Sequence, residues 1–201
     1  MSAHKPIPQT TKLTGKDLIN VGIYTGIYGV LMVLVGWLGF IPILIPLLAA
    51  LVPLIGGIPF MLYLTKVHKP GMLVLMGILL GILMFATGMG YWTILTGAAA
   101  GAIAELIWKW GDYRDAGKGV VTCGFFSAWV VGNFLPFYIG RDAYLAQLAD
   151  GFGAEYAKEL SGYMPTWMLA VLLVASIAFG LLGGLIGKSV CAKHFARAGV
   201  A

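Results

Sequence analysis

The chain has 201 residues, of which 60% are hydrophobic and 10% are charged, and its formal net charge at pH 7 is +5. This length and composition leave no room for a second, soluble domain, so we expect a single bundle that lies mostly inside lipid. The basic residues stand beside apolar stretches and do not cluster on a polar surface, which favours anionic lipid headgroups over nucleic acid as their partner.

Six apolar stretches follow one another along the chain, each long enough to cross a hydrocarbon core of about 30 Å as a helix of about 20 residues. The predicted fold is therefore an all-α integral membrane protein with six transmembrane helices. The membrane domain is residues 18–187, between a cytoplasmic segment, 1–17, and a cytoplasmic tail, 188–201. We place the spans at residues 18–40, 43–65, 71–89, 93–108, 120–139 and 166–187.

The distribution of basic residues predicts the orientation of these spans. With the N-terminus in the cytoplasm, eleven of the 13 lysines and arginines lie on the cytoplasmic side, and only Arg141 and Lys158 lie outside. This asymmetry is typical of the positive-inside rule, so both termini are predicted to be cytoplasmic. The first seventeen residues are polar, which indicates a retained first helix and not a cleaved signal. We expect a multi-pass protein of a prokaryotic plasma membrane.

Two further patterns describe the helices themselves. Prolines at positions 46, 53 and 59 in the second span predict kinks or breaks, because each removes a backbone donor. Small residues recur at helical spacing, as expected where close backbone approach holds helices together in lipid. They are Gly77 and Gly81 in the third span, Gly97 and Gly101 in the fourth, Ser176, Gly180 and Gly184 in the sixth, and Gly15, Gly22, Gly26, Gly29 and Gly36 in the first.

Most of these small residues are expected to pack helices of the same chain. The stripe in the first span is unusually long and aligned, and it leaves two interpretations open. It packs within the bundle, or part of it contacts another protein.

The long polar segment, residues 140–165, is the one predicted outer loop with enough residues for structure of its own. It predicts short helices at 143–148 and 154–160, with Tyr144, Leu148, Tyr156 and Leu160 able to face the membrane surface. One interpretation is a solvated surface loop. The other is a lid over an outward-facing pocket, because long loops often carry function.

Polar and aromatic residues concentrate at the outer ends of the last three spans. Aromatic residues at a membrane interface are commonly lipid anchors, and contact with a ligand is the alternative. Asn133 lies inside the predicted boundary, where its amide needs a hydrogen-bond partner from another helix or from a ligand. The candidate substrate-binding residues are Trp92, Thr96, Trp129, Asn133, Tyr138 and Trp167.

The sequence offers no credible catalytic set or metal site. No histidine lies within a span, and Glu105 is the single carboxylate well inside one, so we expect no catalysis, no metal and no cofactor. Lys109 follows Glu105 by four residues, which favours a local ion pair on one helix face. A role for Glu105 in transport or partner docking is the alternative.

The pattern as a whole resembles the substrate-binding S components of energy-coupling factor (ECF) transporters. Gly22-Ile23-Tyr24-Thr25-Gly26 occupies the place of the Ala-x-x-x-Ala motif that is typical of their first helix, with glycine at both small positions. The segments 55–60 and 97–105 look like the Trep_Strep branch, also called MptD-like. The likeness covers residues 18–188.

The resemblance implies a subunit of an ABC importer that binds a vitamin, a vitamin precursor or a similar small molecule near the outer face. It implies a coupling (T) subunit that docks at Gly22, Gly26 and Gly29, and two cytoplasmic ATPase subunits that hydrolyse ATP. The alternative is a self-sufficient small secondary transporter or channel that uses Glu105 as its coupling acid.

Overall fold

The computed structural model describes the backbone of residues 12–197 and the side chains of residues 12–192. Within residues 12–197 the chain forms eight α-helices and no β-strand. The helices are α1 Gly15–Gly36, α2 Ile45–Leu64, α3 Met72–Ala86, α4 Trp92–Trp110, α5 Ala116–Ser127, α6 Arg141–Phe152, α7 Ala154–Tyr163 and α8 Met168–Arg197.

In the part of the chain that the structure describes, three segments are long and apolar enough to cross a membrane, namely Gly15–Phe40, Pro42–Leu64 and Met168–Ala192. Met72–Ala86 is a shorter apolar helix. The prediction of an all-helical membrane protein is therefore supported. Six crossings and cytoplasmic termini stay predictions.

The second and sixth predicted spans differ from expectation in detail. α2 runs without interruption through Pro53 and Pro59, so the predicted break is absent. Pro53 frees the carbonyl of Ala49, which is fully buried, so protein covers that backbone group. α8 starts two residues later than predicted and continues to Arg197, beyond the expected end at residue 187.

The fifth predicted span, residues 120–139, is not one α-helix. α5 ends at Ser127, and two 3-10 helices follow, Ala128–Asn133 and Leu135–Phe137. The carbonyl of Trp129 in the first of these accepts a hydrogen bond from the Thr96 hydroxyl of α4 at 3.0 Å. Irregular backbone at membrane depth is tolerated where protein covers it, and Trp129 is fully buried.

Glycines allow the closest helix contacts. A methyl group on Gly77 of α3 or on Gly97 of α4 would collide with the carbonyl oxygen of the other, and Gly57 of α2 stands in the same relation to the backbone of Gly183 in α8. The expectation that the small residues of the third and fourth spans pack within the chain is confirmed.

The end of the bundle that contains Glu105, here called the Glu105 end, is fixed by hydrogen bonds between helices and the turn before α3. The Tyr63 hydroxyl donates to the Met72 carbonyl at 2.9 Å, and the Trp108 indole donates to the Val67 carbonyl at 3.0 Å. Lys69 forms an ion pair with Asp17 at 2.7 Å, which ties α1 to the same turn.

Candidate functional site

A cavity of about 370 Å³ lies at the opposite end of the bundle. It is here called the lidded cavity, and its volume falls within the range of small-molecule sites. It is lined by the end of α1 and the turn after it, the start of α2, the end of α3, the 3-10 segments after α5, and one face of α6 and α7. Residues from these parts include Met32, Trp37, Phe40, Leu48, Val52, Met84, Thr87, Asn133, Phe134, Phe137, Tyr144, Leu148, Phe152, Tyr156 and Leu160.

The predicted short helices of the outer segment are present, and they cover this cavity. Tyr144 and Leu148 of α6, and Tyr156 and Leu160 of α7, line it. The prediction that these four side chains face the membrane surface is therefore wrong. These side chains pack against the bundle and not against the membrane surface, because contact with protein also covers the polar backbone of the segment. We refer to α6 and α7 together as the lid.

The lid is bonded to the bundle through Tyr156, and its two helices are joined to each other through Arg141. The Tyr156 hydroxyl donates to the carbonyl of Gly39 in the turn between α1 and α2. The Arg141 guanidinium donates to the carbonyls of Ser161 and Met164, each at 2.8 Å, at the C-terminal end of α7. A cation is favourable at that end of a helix, where carbonyls lack partners within the helix. Arg141 therefore joins the first residue of α6 to the last turn of α7.

Two lid tyrosines, Tyr144 and Tyr156, are uncharged at physiological pH. Burial, with a smaller contribution from the neighbouring Tyr156, raises the pKa of Tyr144 to about 12. Burial also raises the pKa of Tyr156. Both hydroxyls can therefore donate as well as accept hydrogen bonds.

Asn133 is the one candidate substrate-binding residue that lines the cavity. Its Nδ2 donates to the Val130 carbonyl at 3.0 Å, whereas its Oδ1 is shielded from solvent and has no partner among the described residues. An unpaired buried acceptor costs about 1–3 kcal/mol, and a ligand that offers a donor here recovers part of that cost, because the donor gives up its hydrogen bonds to water.

The other five candidates lie outside the cavity lining. Thr96 bonds the Trp129 carbonyl, and the Trp129 ring packs against Tyr28 at 6.4 Å. The remaining three sit elsewhere at this end: Tyr138 donates to the Pro165 carbonyl at 3.4 Å, Trp92 packs against Tyr91 at 4.8 Å, and Trp167 is 64% exposed.

Sequence reasoning missed the lining residues of the first three predicted spans, such as Trp37, Phe40 and Thr87. Trp37 and Phe40 lie near the end of the first predicted span, as Tyr138 lies near the end of the fifth. The same aromatic signal could therefore have found them.

An aromatic cluster, here called the floor, closes the bundle beneath the cavity. It consists of Tyr28, Phe60, Phe126 and Trp129, each at most 1% exposed. Phe60 and Phe126 stack at 4.6 Å, and Tyr28 packs edge-on against Phe126 at 6.4 Å. Tyr28 lies one helical turn from Met32 in the cavity wall, so the floor separates the cavity from the Glu105 end.

One protein family matches residues 15–197, and it is described as hypothetical bacterial integral membrane proteins, Trep_Strep. The chain belongs to the Trep_Strep family. The match includes all eight α-helices, and thus both the lidded cavity and the floor. By the description of this family, the chain is an integral membrane protein. No curated protein and no solved structure is detectably similar to the chain.

Glu105 of this Trep_Strep protein caps a helix. Its carboxylate accepts hydrogen bonds from the Leu73 backbone N–H at 3.0 Å and from the Tyr113 hydroxyl at 3.2 Å. It is 7% exposed and forms no ion pair with Lys109, so the predicted local pair is wrong. The N-terminus of α3 attracts the carboxylate because its first N–H groups lack partners within the helix.

The glycines of α1 in this Trep_Strep protein divide into two groups. A side chain added at Gly22 or Gly26 would meet no atom of the described residues within 4 Å, and both positions are exposed on the surface of α1. Gly29 is buried, and a Cβ there would come within 2.5 Å of Leu83 in α3. Gly29 therefore packs within the chain, and the open surface on α1 is centred on Gly22 and Gly26.

Proposed function

We propose that this Trep_Strep protein is the substrate-binding subunit of an ECF-type ABC importer in a prokaryotic plasma membrane. It captures a vitamin, a vitamin precursor or a similar small molecule at the outer face. In this proposal the chain crosses the membrane six times with both termini in the cytoplasm, so the cavity end faces outward. The lidded cavity carries the proposal, because it combines ligand-sized volume with a cover made of a dedicated helix pair.

The floor favours a receptor over a channel. A channel needs a continuous path through the bundle, and Tyr28, Phe126 and Trp129 fill the space between the cavity and the Glu105 end. Cargo in the cavity therefore reaches the cytoplasm only if the protein itself moves. Partner subunits that hydrolyse ATP would supply the energy for that movement.

Gly22 and Gly26 are the proposed docking positions for the coupling subunit. Small residues let helix backbones approach closely in lipid, where packing and not hydrophobic burial drives association. Both positions are open in the isolated chain. Two ATPase subunits complete the proposed complex, and ATP hydrolysis belongs to them.

Recovery of partners from native membranes tests this proposal. Tagged wild-type protein should recover a membrane coupling subunit and two ATPases. The double substitution Gly22→Leu with Gly26→Leu should lower that recovery at least about tenfold, equivalent to about 1.4 kcal/mol. Ala99→Leu with Ala102→Leu, two exposed positions on α4, is the matched control and should leave it unchanged. Absence of ATPases from the wild-type sample, in cells that express them, would refute the importer role.

The alternative of a self-sufficient secondary transporter makes a different prediction. It needs Glu105 to exchange protons or ions during transport, whereas this carboxylate caps α3. Purified protein in liposomes should therefore show no ion-driven uptake without ATPases. Such uptake, abolished by Glu105→Gln, would favour the alternative.

A further inference from the structure

Among the residues that the structure describes, the lining of the lidded cavity contains no charged side chain. None of these lining residues is an aspartate, glutamate, lysine, arginine or histidine. The lid carries two cations, Arg141 and Lys158, and the exposed Lys158 is not part of the lining. Arg141 already donates to the carbonyls of Ser161 and Met164 and to the Ser161 hydroxyl. The Arg141 guanidinium is therefore hydrogen-bonded within the lid and does not serve as a counter-charge for a ligand.

A charged ligand would lose hydration in this cavity without gaining a counter-charge. The effective cost of removing an ion from water in a protein is several kcal/mol when no partner compensates it. An uncharged molecule avoids this cost and gains from the apolar walls, which include Trp37, Phe40 and Phe134. The cavity therefore selects against charge.

Two polar groups in the lining lack partners. The Asn133 Oδ1 is buried and has none among the described residues. The Tyr144 hydroxyl forms no hydrogen bond within the same part of the chain. Phe137, whose ring lies 4.8 Å from that of Tyr144, belongs to the 3-10 helix that follows Asn133. The terminal torsion of asparagine is soft, so a rotation can turn Oδ1 toward a ligand without backbone movement, although it also moves Nδ2 away from the Val130 carbonyl.

We propose that the lidded cavity takes an uncharged, mostly apolar molecule that carries a hydrogen-bond donor, held by Asn133 and Tyr144. This inference rests on the proposed function and names the chemical class of the cargo. The apolar walls supply affinity. The two polar groups fix the orientation of the molecule, since each is satisfied only when the donor-bearing end lies between α6 and the 3-10 segment.

Equilibrium dialysis with four probes of one ring system tests the class. The probes are 2-naphthalenemethanol, its donor-free analogue 2-methylnaphthalene, the anion 2-naphthoate and the cation 2-naphthylmethylammonium. The full-length protein is held in lipid nanodiscs, and binding to empty nanodiscs is subtracted. We expect the alcohol to bind at least about tenfold more tightly than either ion. It should bind about threefold to tenfold more tightly than 2-methylnaphthalene, since one hydrogen bond is added.

A pair of substitutions on the same helix locates the binding. Leu148→Trp fills the cavity from α6 and should abolish binding of the alcohol. Ala146→Trp places the same side chain at an exposed position outside the lining and should leave binding unchanged. Asn133→Leu should lower the preference for the alcohol over 2-methylnaphthalene, with the Tyr144 hydroxyl still present. The preference is the ratio of two affinities measured on the same folded protein, so a low yield of that protein does not change it.

Several results would overturn the proposal. They are equal or tighter binding of an ion, binding that persists in Leu148→Trp, and binding of no probe. Equal binding of 2-methylnaphthalene would identify a site for a lipid tail, which has no donor. If any of these binding results is obtained while partner recovery still depends on Gly22 and Gly26, the proposed cargo class is refuted and the importer role is not. Alcohol binding without partner recovery would refute the importer role alone.

Discussion

The contrast between two glycines gives the sharpest test of how this bundle is packed. A Cβ on Gly81 in α3 would lie 2.5 Å from the Ile94 Cα and 2.6 Å from the Thr93 carbonyl oxygen, both in the backbone of α4. A Cβ on Gly26 in α1 would meet nothing within 4 Å. The same substitution, glycine to alanine, should therefore have opposite effects at the two positions.

The size of the effect at Gly81 follows from these distances. Carbon atoms prefer separations of about 3.5–4.0 Å, so α3 and α4 must separate by about 1 Å, which removes about half of the dispersion energy at the contact. Overpacking of this kind costs about 1–3 kcal/mol. The bond from the Thr93 hydroxyl to the Gly81 carbonyl, 3.0 Å, is worth about 1 kcal/mol more. The higher helix propensity of alanine relative to glycine offsets about 1 kcal/mol of these costs.

The free energy of unfolding should therefore fall by about 1–3 kcal/mol in Gly81→Ala and rise by up to about 1 kcal/mol in Gly26→Ala. Reversible unfolding in mixed micelles with increasing dodecyl sulfate, followed by tryptophan fluorescence, measures both values. Equal changes in the two variants, or a more stable Gly81→Ala, would refute the assigned packing of α3 on α4.

Three further substitutions test single interactions. Tyr156→Phe removes the lid bond to Gly39 and should speed dissociation of bound 2-naphthalenemethanol about twofold to tenfold, as stopped-flow fluorescence would show. Glu105→Ala leaves the buried Leu73 N–H unpaired and should lower the free energy of unfolding by about 1–3 kcal/mol in the micelle assay, with Glu105→Gln losing less. Asp115 accepts hydrogen bonds from backbone N–H groups, which lower the pKa of its carboxyl group. The carboxylate therefore stabilises the folded protein above the unfolded pKa of about 3.9, and this stabilisation is lost as the pH falls through the folded pKa. Unfolding free energy should fall with acid more steeply in the wild type than in Asp115→Asn, which keeps an uncharged acceptor.

Each of these predictions has its own control and contrary result. Tyr163→Phe, at an exposed position on α7, should leave the dissociation rate unchanged, and an equal acceleration there would argue against the Tyr156 bond. Equal stability of Glu105→Ala and the wild type would contradict the cap on α3. Parallel pH profiles for the wild type and Asp115→Asn would show that this carboxylate does not cap α5.

Local patterns in the sequence predict the helices well, because hydrophobic length and small-residue spacing are properties of one segment. The short helices at 143–148 and 154–160 follow from such patterns, and the structure extends them to α6 and α7. The end of α5 at Ser127 does not follow from them. It depends on a partner 33 residues away, since the Thr96 hydroxyl bonds the Trp129 carbonyl.

The site is harder to predict because it is made by surfaces that meet only in the folded chain. Asn133 can be found because an amide inside a span needs a partner. Trp37, Trp129 and Trp167 are all tryptophans of predicted spans and look alike in the sequence. In the structure Trp129 is fully buried, Trp167 is largely exposed, and of the three only Trp37 lines the cavity. Aromatic residues at a predicted interface do not reveal which way they point. The face of the lid is likewise decided by the cavity beneath it.

Native mass spectrometry of the gently purified protein tests most directly whether the lidded cavity holds cargo. Wild-type protein released from native-lipid nanodiscs should carry a small-molecule adduct. The adduct should be absent from Leu148→Trp and present in Ala146→Trp. A wild-type protein with no adduct, or an adduct that Leu148→Trp retains, would contradict a ligand-binding role for the cavity.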